Sequence, residues 1–240
     1  MTRLDVMVTR GGFAESRERA QALILAGKVR VAGETVRRPD RSFSDDAAIT
    51  VESGPDYASR GALKLAPALD AFRLEPRGLV CADIGASTGG FTDVLLRRGA
   101  ARVFAIDVGR GLLHWRLRQD PRVVVIERVN ARELTALPEP ASLMVVDVSF
   151  ISLEKVLPAL RQTAPEADVV ALFKPQFEVG RSEVGKGGIV RDPAVIEAAL
   201  ARLRDLCPHN GYAVMAESPS ELPGAEGNRE VFVHLRPVAP

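Results

Sequence analysis

Four charged side chains stand where predicted strands and helices begin or end, and together they could activate a hydroxyl group. Lys174 directly follows the apolar run Val-Val-Ala-Leu-Phe and precedes Pro175, so we expect its amine to be partly desolvated. Desolvation favours the neutral amine that a general base needs. Asp147 ends the neighbouring apolar run, while Lys64 and Glu230 stand at the start of a helix and of the last strand. The set predicts a site that orients a weak nucleophile and takes its proton; the alternative is a structural network of ion pairs.

A glycine-rich turn supplies a second candidate site. Residues 79–99 read as a buried strand, a turn and a helix that ends at Gly99. The turn has the pattern Gly-x-x-x-Gly-Gly from Gly85 to Gly90, which is neither the dinucleotide fingerprint nor the P-loop. Because such a turn can point backbone N–H groups at a ligand, it predicts a nucleotide-like cofactor; the alternative is a turn without a ligand. The candidate cofactor residues here are Asp83, Gly85, Ser87, Gly89 and Phe91.

Two more polar residues end apolar runs and extend this site. Asp107 follows Gly85 by 22 residues, the spacing at which an acid meets ribose hydroxyls. Asn130 could pair with an adenine edge. The alternatives are an ordinary strand-end carboxylate for Asp107 and a turn-forming role for Asn130.

The elements that must position these residues alternate between strand and helix from residue 79 onward. Continuous apolar strands between helices predict a parallel sheet covered on both faces, and ligands of such sheets lie beyond the carboxyl ends of the strands. Two late segments, 212–216 and 230–235, are expected to close the sheet as a hairpin. We expect the helix that carries Lys64 to begin near that residue, so that Pro67 falls in the first turn. The predicted fold class is α/β: a doubly wound, mostly parallel, Rossmann-like sheet with a small N-terminal α+β domain.

The front of the chain is basic and the rest is slightly acidic. Residues 1–41 hold nine Lys/Arg against five Asp/Glu, although the whole chain carries only +1. Their helices, hairpin and motif spacing resemble the S4 RNA-binding module, so we predict phosphate contacts; the alternative is ordinary solvated arginines. The candidate RNA-binding residues of this region are Arg3, Arg17, Arg19, Lys28 and Arg30.

Composition excludes several other classes. A content of 46% hydrophobic residues is ample for a packed core. The start of the sequence lacks the apolar segment of a signal peptide, and no uncharged apolar run approaches the length of a membrane span. Cys81 and Cys207 match no metal-ligand spacing, so we expect free thiols, no metal site and a cytoplasmic setting.

Seven segments together resemble the TlyA (haemolysin A) family of rRNA ribose 2′-O-methyltransferases, which has an S4 module and an FtsJ-type catalytic domain. They are Ser59-Arg-Gly-Ala-Leu-Lys-Leu, Asp83-Ile-Gly-Ala-Ser-Thr-Gly-Gly-Phe-Thr-Asp, Asp107-Val-Gly, Asp147-Val-Ser-Phe-Ile-Ser-Leu, Phe173-Lys-Pro-Gln-Phe-Glu, Val184-Gly-Lys-Gly-Gly-Ile-Val-Arg-Asp and Gly227-Asn-Arg-Glu. The resemblance implies S-adenosyl-L-methionine as methyl donor and a cytidine 2′-hydroxyl of ribosomal RNA, within ribosomal subunits, as acceptor. It assigns the Lys-Asp-Lys-Glu tetrad to Lys64, Asp147, Lys174 and Glu230, with Lys174 as the general base.

The resemblance also sets the expected domain organisation. An RNA-binding domain spans 1–54, a linker 55–59 and a methyltransferase domain 60–240. Arg60 and Lys186 are further candidates for RNA contact, the second on a glycine loop that we expect to be mobile near the active-site mouth; simple loop flexibility is the alternative. A membrane-active haemolysin and a noncatalytic ribosome-assembly factor are the competing functions, and a nicotinamide dehydrogenase is the weakest. The sequence leaves the oligomeric state open.

Overall fold

The computed structural model describes residues 1–14, 16–51, 57–224 and 227–238, and of Arg19 its backbone only. The chain divides into two compact units, Met1–Asp56 (unit 1) and Tyr57–Pro240 (unit 2). Part of the predicted linker, residues 55 and 56, lies outside the described residues. The predicted domain bounds stay a prediction.

Unit 1 packs two helices against short strands. Its helices are α1 (Leu4–Arg10) and α2 (Arg17–Leu25), and its strands are β1 (Thr2–Arg3), β2 (Val29–Val31), β3 (Glu34–Thr35), β4 (Ser42–Phe43) and β5 (Ile49–Val51). The predicted hairpin is confirmed, since β2 and β3 pair antiparallel around Ala32 and Gly33, both of which have positive φ. The apolar side chains of Leu4, Val8 and Ile24 have no exposed surface and form the core of the unit.

Unit 2 is built on one sheet of seven strands among the described residues, in the order β11-β12-β10-β9-β6-β7-β8. The strands are β6 (Val80–Ile84), β7 (Arg102–Asp107), β8 (Val123–Glu127), β9 (Leu143–Val146), β10 (Asp168–Phe173), β11 (Tyr212–Pro219) and β12 (Val231–Pro237). Neighbours among β6 to β10 pair parallel, whereas β12 pairs antiparallel with β10 and with β11. The predicted doubly wound α/β fold and its closing hairpin are therefore confirmed.

Helices cover both faces of this sheet. They are α3 (Ala62–Phe72), α4 (Gly90–Arg97), α5 (Trp115–Arg118), α6 (Leu157–Thr163), α7 (Pro175–Glu178) and α8 (Pro193–His209). Two apolar clusters lie on opposite faces of the strands, one holding Leu65 and Leu95 and the other Leu160 and Leu203. Residues that alternate along a strand serve both clusters, which explains why the strands read as continuous apolar runs.

The helix boundaries differ from expectation at one informative place. α3 begins at Ala62, so Pro67 is its sixth residue and lies in the helix interior. The expectation that Pro67 falls in the first turn is wrong. Proline removes one intrahelical hydrogen bond there, but burial of Leu65 and Leu69, both fully enclosed, offsets that loss by roughly 2 kcal/mol for each side chain.

Candidate functional site

The glycine turn joins β6 to α4, and its glycines are required by close approaches. Gly85 has a φ of 85°, and a Cβ there would lie 2.5 Å from the carbonyl oxygen of Asp147. A Cβ at Gly90 would overlap Ser59 Oγ and lie 2.9 Å from the Ala62 nitrogen. The turn therefore packs against both the end of β9 and the start of α3, and residues of all three line a small cavity of about 270 Å³.

Most of the turn's backbone N–H groups donate inside the protein. Gly85 and Ala86 donate to the carbonyl of Ile106, and Gly89 donates to Ala86. The N–H of Ser87 donates to Asp107 Oδ2 at 2.8 Å. The expectation that the turn aims its N–H groups at a ligand is wrong for these four. The glycines serve close packing of the backbone here.

Two ion pairs lie at the carboxyl edge of the sheet, formed by the four predicted tetrad residues. Lys64 Nζ lies 2.6 Å from Glu230 Oε2, and Lys174 Nζ lies 2.5 Å from Asp147 Oδ1. Lys174 Nζ also donates to Ser149 Oγ at 3.0 Å. The side chains of Glu230, Lys174 and Lys64 expose only 2%, 11% and 14% of their surface, so these charges are screened by solvent much less than surface pairs.

The register of the sheet explains why residues so far apart in sequence meet. Phe173 pairs with Val231 in the antiparallel β10–β12 ladder, so the next pair at that edge is Lys174 and Glu230. Asp147 follows the last residue of β9, the parallel neighbour of β10. Lys64 is the third residue of α3 and lines the small cavity together with Asp147.

A larger groove of about 850 Å³ adjoins the small cavity and shares Gly85, Ser87 and Asp147 with it. Asp107 and Asn130 line the groove, as expected for residues at strand ends. Asp107 accepts backbone N–H groups on both oxygens, from Ser87 and from Gly109 at 2.7 Å. Asn130 Oδ1 accepts the Arg132 N–H at 3.1 Å, so its side chain also caps a single 3₁₀ turn.

The remaining candidate cofactor residues take different positions. Phe91 lines the small cavity and packs against Phe232, with ring centroids 6.0 Å apart. Asp83 and Gly89 line neither cavity. Asp83 is fully buried beneath the turn and accepts both the N–H and the hydroxyl of Thr92, at 2.8 and 2.6 Å. Burial raises the pKa of Asp83 to about 7, and the negative charge of Asp147 adds to that rise.

In unit 1, two of the candidate RNA-binding residues share one buried partner. Arg3 and Arg17 donate to the fully buried Asp5 carboxylate at 2.9 and 3.0 Å, while each exposes about half of its own side chain. Lys28 is half-buried and Arg30 exposed. The side chain of Arg19 lies outside the described part of the chain.

The two candidate RNA-binding residues of unit 2 are both exposed. Arg60 lines the small cavity, whereas Lys186 lines neither cavity. Mobility of the Lys186 loop stays a prediction.

Sequence reasoning missed three residues at this edge. Ser149 holds Lys174, and the serine itself gave no signal beyond its place two residues after Asp147. Phe150 exposes 91% of its surface, has a φ of 64° and lies 5.2 Å from the Phe177 ring. Asn228 is fully buried, and its amide bonds the Val190 N–H and the Gly188 carbonyl at 2.9 and 2.8 Å. All three lie within segments that carry the family resemblance, Ser149 and Phe150 after Asp147 and Asn228 after Gly227, but their residue types gave no role.

Over the described ranges, no group of three or more His, Cys, Asp and Glu side chains is placed to bind a metal ion. None of the helices described there has the length and apolar character needed to cross a membrane.

Comparison with known proteins adds family relationships to this geometry. Residues 57–237 match the model of the FtsJ-like methyltransferases, and residues 2–43 match the S4 domain. The chain is 49% identical to the 16S/23S rRNA (cytidine-2′-O)-methyltransferase TlyA of Mycobacterium tuberculosis, over 98% of this chain and 89% of that protein. It is 45% identical to YqxC of Bacillus subtilis, over 97% of this chain and 85% of that protein. The solved structure of a hemolysin-like protein from Streptococcus thermophilus superposes with a TM-score of 0.75 at 40% identity, covering 99% of this chain and 88% of that one.

Proposed function

The chain belongs to the TlyA (haemolysin A) family of FtsJ-like methyltransferases with an S4 domain, and on that premise we propose that it methylates the 2′-hydroxyl of a cytidine in ribosomal RNA. The methyl donor in this proposal is S-adenosyl-L-methionine. The observation that carries the proposal is the presence of two largely buried ion pairs, Lys174–Asp147 and Lys64–Glu230, side by side at the carboxyl edge of the sheet. A nucleotide hydroxyl is a weak nucleophile, and such a set can orient it and take its proton.

The residues of the larger groove fit this cofactor. The groove has the size of small-molecule sites, and apolar Ile84, Ile106 and Val129 line it beside the polar Asp107 and Asn130. In the proposal, Asp107 accepts from the ribose hydroxyls through its remaining lone pairs and Asn130 pairs with the adenine edge. The cofactor supplies a methyl group on a sulfonium, which any well-placed oxygen nucleophile can accept.

The methionine end of the cofactor would lie toward the glycine turn. Gly85, Ser87 and Phe91 line the small cavity, which meets the groove there. The close approach at Gly85 leaves no room for a side chain between the turn and Asp147. Asp83 and Gly89 line neither cavity, so in the proposal they shape the turn that holds this end of the cofactor.

Lys174 is the general base of the proposed reaction. Its Nζ lies 2.5 Å from Asp147 Oδ1 and 3.0 Å from Ser149 Oγ, so the amine has a fixed position at the carboxyl edge of the sheet. In the proposed reaction this amine takes the proton of the ribose hydroxyl as the oxygen attacks the methyl group. The Lys64–Glu230 pair would hold the acceptor ribose, because Lys64 lines the small cavity and Glu230 fixes its ammonium.

The rest of the chain would deliver the RNA. We assign residues 1–54 to an RNA-binding domain and 60–240 to the methyltransferase, with phosphate contacts from Arg3, Arg17, Arg19, Lys28 and Arg30 in the first and Arg60 and Lys186 in the second. A ribosomal substrate would place the protein in the cytoplasm. The electrostatic part of such binding is independent of base sequence, so the choice of nucleotide must come from contacts to the bases or from the shape of the folded RNA.

Substitution of Lys174 tests this function. Lys174→Met keeps most of the side-chain volume but removes the amine, so methyl transfer should fall at least 100-fold while cofactor affinity stays within about twofold. Transfer is measured with labelled S-adenosylmethionine on separated ribosomal subunits, with mass mapping of the modified nucleotide, and affinity by calorimetry. Arg102→Gln, on the surface at the opposite edge of the sheet, is the control and should keep full activity.

Two outcomes would contradict the proposal. Full activity of Lys174→Met would exclude Lys174 as the base and leave the two ion pairs a structural role. A wild-type protein that binds ribosomal subunits but neither binds the cofactor nor transfers methyl would be the noncatalytic assembly factor instead.

A further inference from the structure

Three cationic side chains surround the larger groove, each on a single 3₁₀ turn at the carboxyl edge of the sheet. Arg132 lies in the turn Ala131–Glu133 after β8, and Lys155 ends the turn Leu153–Lys155 after β9. Arg181 begins the turn Arg181–Glu183, which follows β10 and α7. All three are exposed and line the groove. We call them the cationic rim.

The rim occupies both sides of the groove. β8 is one edge of the sheet, and β9 and β10 lie beyond β6 and β7 in the strand order. Arg132 therefore comes from one side, and Lys155 and Arg181 come from the other. An extended polyanion that crosses the groove could contact both sides at once.

Local hydrogen bonds fix the backbone of each turn. Asn130 caps the first turn through the N–H of Arg132 itself. In the second turn, Glu178 accepts the hydroxyl of Ser152 at 2.7 Å and the N–H of Leu153 at 2.8 Å. In the third, Glu183 Oε2 accepts the N–H of Gly180 at 2.8 Å. Capped turns fix the Cα positions of the three long side chains, which reduces the entropy that these side chains lose on binding a ligand.

The rim charges are not neutralised within the groove. Its two carboxylates are already engaged, Asp107 by two N–H groups and Asp147 by Lys174. Glu133, Glu154 and Glu183 lie on the same three turns, but none of them lines the groove. Over the described ranges, Arg132, Lys155 and Arg181 form no ion pair with a carboxylate. Three cations that line the groove and form no ion pair over the described ranges favour an anionic ligand there.

The proposed cofactor does not account for these charges. S-adenosylmethionine carries a sulfonium and an ammonium against one carboxylate, so its net charge is positive, and its proposed contacts with Asp107 and Asn130 use none of the three cations. RNA accounts for them, because each phosphate brings one negative charge. The exposed ring of Phe150, beside Phe177 on the same groove, adds the kind of aromatic face that accompanies cations where single strands bind.

We propose that the cationic rim binds the phosphates on both sides of the nucleotide that enters the site, so that the substrate strand crosses the larger groove. This inference rests on the proposed function for its choice of RNA. It assigns to Arg132, Lys155 and Arg181 a role in RNA binding that is separate from cofactor binding and from the proton transfer at Lys174.

Neutralising the rim tests the inference. Arg132→Gln, Lys155→Gln and Arg181→Gln are made singly and together in the full chain. Affinity for a fluorescent cytidine-rich RNA oligonucleotide is measured by anisotropy over a series of salt concentrations. Each phosphate contact to a single strand contributes about 0.7 to the slope of log K against log salt, so the triple variant should lose about 2. Calorimetry with S-adenosylmethionine should give an affinity within about twofold of wild type.

A matched triple variant serves as control. Arg102→Gln, Arg122→Gln and Arg236→Gln remove the same total charge from the opposite edge of the sheet, where each arginine already pairs with a carboxylate. The control should keep the wild-type slope, because exposed and already paired arginines at that edge make no phosphate contact.

The outcomes separate this inference from the proposed function. An unchanged slope in the rim variant, or an equal loss in the control, would overturn the inference, as would a rim variant that binds RNA normally but loses the cofactor. Loss of binding to anionic lipid vesicles with RNA binding intact would also overturn it, in favour of a membrane surface. If wild type transfers no methyl but the rim variant still loses about 2 in slope, the surface stands and the proposed reaction fails.

Discussion

Two fully buried carboxylates, one in each unit, have opposite surroundings. In unit 1, the Asp5 carboxylate accepts from the guanidinium groups of Arg3 and Arg17, and the hydrogen bond from Arg3 holds the pKa of Asp5 well below its usual range. In unit 2, Asp83 accepts only from Thr92 among the described residues, and its Oδ1 atom has no partner there. Burial raises the pKa of Asp83 to about 7. At neutral pH the Asp5 carboxylate stays charged, whereas Asp83 is about half protonated.

The difference follows from what each carboxylate must support. Asp5 lies under two half-exposed arginines, so its charge holds two cations toward solvent in a fixed geometry. Asp83 lies under the glycine turn, where Asp107 and Asp147 already bring two negative charges. A third full charge there would be costly in a buried site. Unit 1 thus uses a buried charge to arrange cations, whereas unit 2 buries an acid that is only partly ionised at neutral pH.

Removal of Asp5 should have the largest effect on stability. Asp5→Ala leaves two guanidinium groups without their shared acceptor, and we expect the free energy of unfolding of unit 1 to fall by about 3 kcal/mol. A unit of this size has little stability to lose. Hydrogen exchange of the α1 and α2 amides measures the effect. The control is Asp83→Ala, which should leave exchange in α1 and α2 at its wild-type rate. If exchange in Asp5→Ala is no faster than in wild type, Asp5 does not hold unit 1 together.

Acidification should have opposite effects on the stability contributed by the two carboxylates. The folded-state pKa of Asp83, about 7, is raised above the ordinary value, so its contribution to stability is present at low pH and is lost as pH rises through about 7. Lowering the pH from 8 to 5 should therefore stabilise unit 2 relative to Asp83→Asn, by up to about 1.4 kcal/mol per pH unit. The lowered pKa of Asp5 gives the opposite case, with stability present above its ordinary value and lost only in stronger acid.

Urea unfolding followed by the fluorescence of Trp115, the single tryptophan of the chain, measures this dependence in unit 2. Hydrogen exchange in α1 and α2 gives the corresponding profile of unit 1 between pH 8 and 5, which should not depend on Asp5. Parallel pH profiles for wild type and Asp83→Asn would contradict the assigned pKa of Asp83.

The sequence predicted the sheet and the residues at its carboxyl edge because both depend on patterns that are local in the chain. Apolar runs gave β6 to β10, and the rule that ligands lie beyond parallel strand ends singled out Asp107, Asp147 and Lys174. Spacing alone could not predict Lys64 meeting Glu230, because their contact depends on where α3 lies against β12.

The sequence could not predict which polar groups are buried or what surrounds them. Asp5 and Asp83 look alike in sequence, each beside apolar residues, and only tertiary contacts distinguish their surroundings. The inward hydrogen bonds of the glycine turn likewise depend on Ile106 and Asp107 from the neighbouring strand. The prediction that Pro67 lies in the first turn of α3 was wrong for a related reason, since the packing of α3 outweighs the local preference of proline.

Loss of the Thr92 hydroxyl should have a smaller effect, and only in unit 2. Thr92→Val keeps the shape and the N–H donor but removes the 2.6 Å hydrogen bond to Asp83 Oδ2. We expect a loss of about 1–2 kcal/mol at pH 8 and less at pH 5, because the hydroxyl favours the charged form that predominates at high pH. Urea unfolding at both pH values measures the loss. In the Asp83→Asn background the pH dependence of the Thr92→Val loss should vanish, and its persistence there would mean that the hydroxyl acts elsewhere.

The smallest expected effect decides whether Asp5 arranges its arginines for RNA. Asp5→Asn removes a negative charge, so simple electrostatics predicts tighter RNA binding. If Asp5 instead holds Arg3 and Arg17 in position, the amide holds them less firmly, and affinity for ribosomal RNA should fall about threefold with the salt slope unchanged. Arg3→Gln and Arg17→Gln should each lower the slope by about 0.7–0.9. Anisotropy over a salt series distinguishes the two cases. Tighter binding by Asp5→Asn would leave the buried carboxylate a purely structural role. Weaker binding at constant slope requires that the geometry of the two guanidinium groups, and not their charge alone, contributes to affinity.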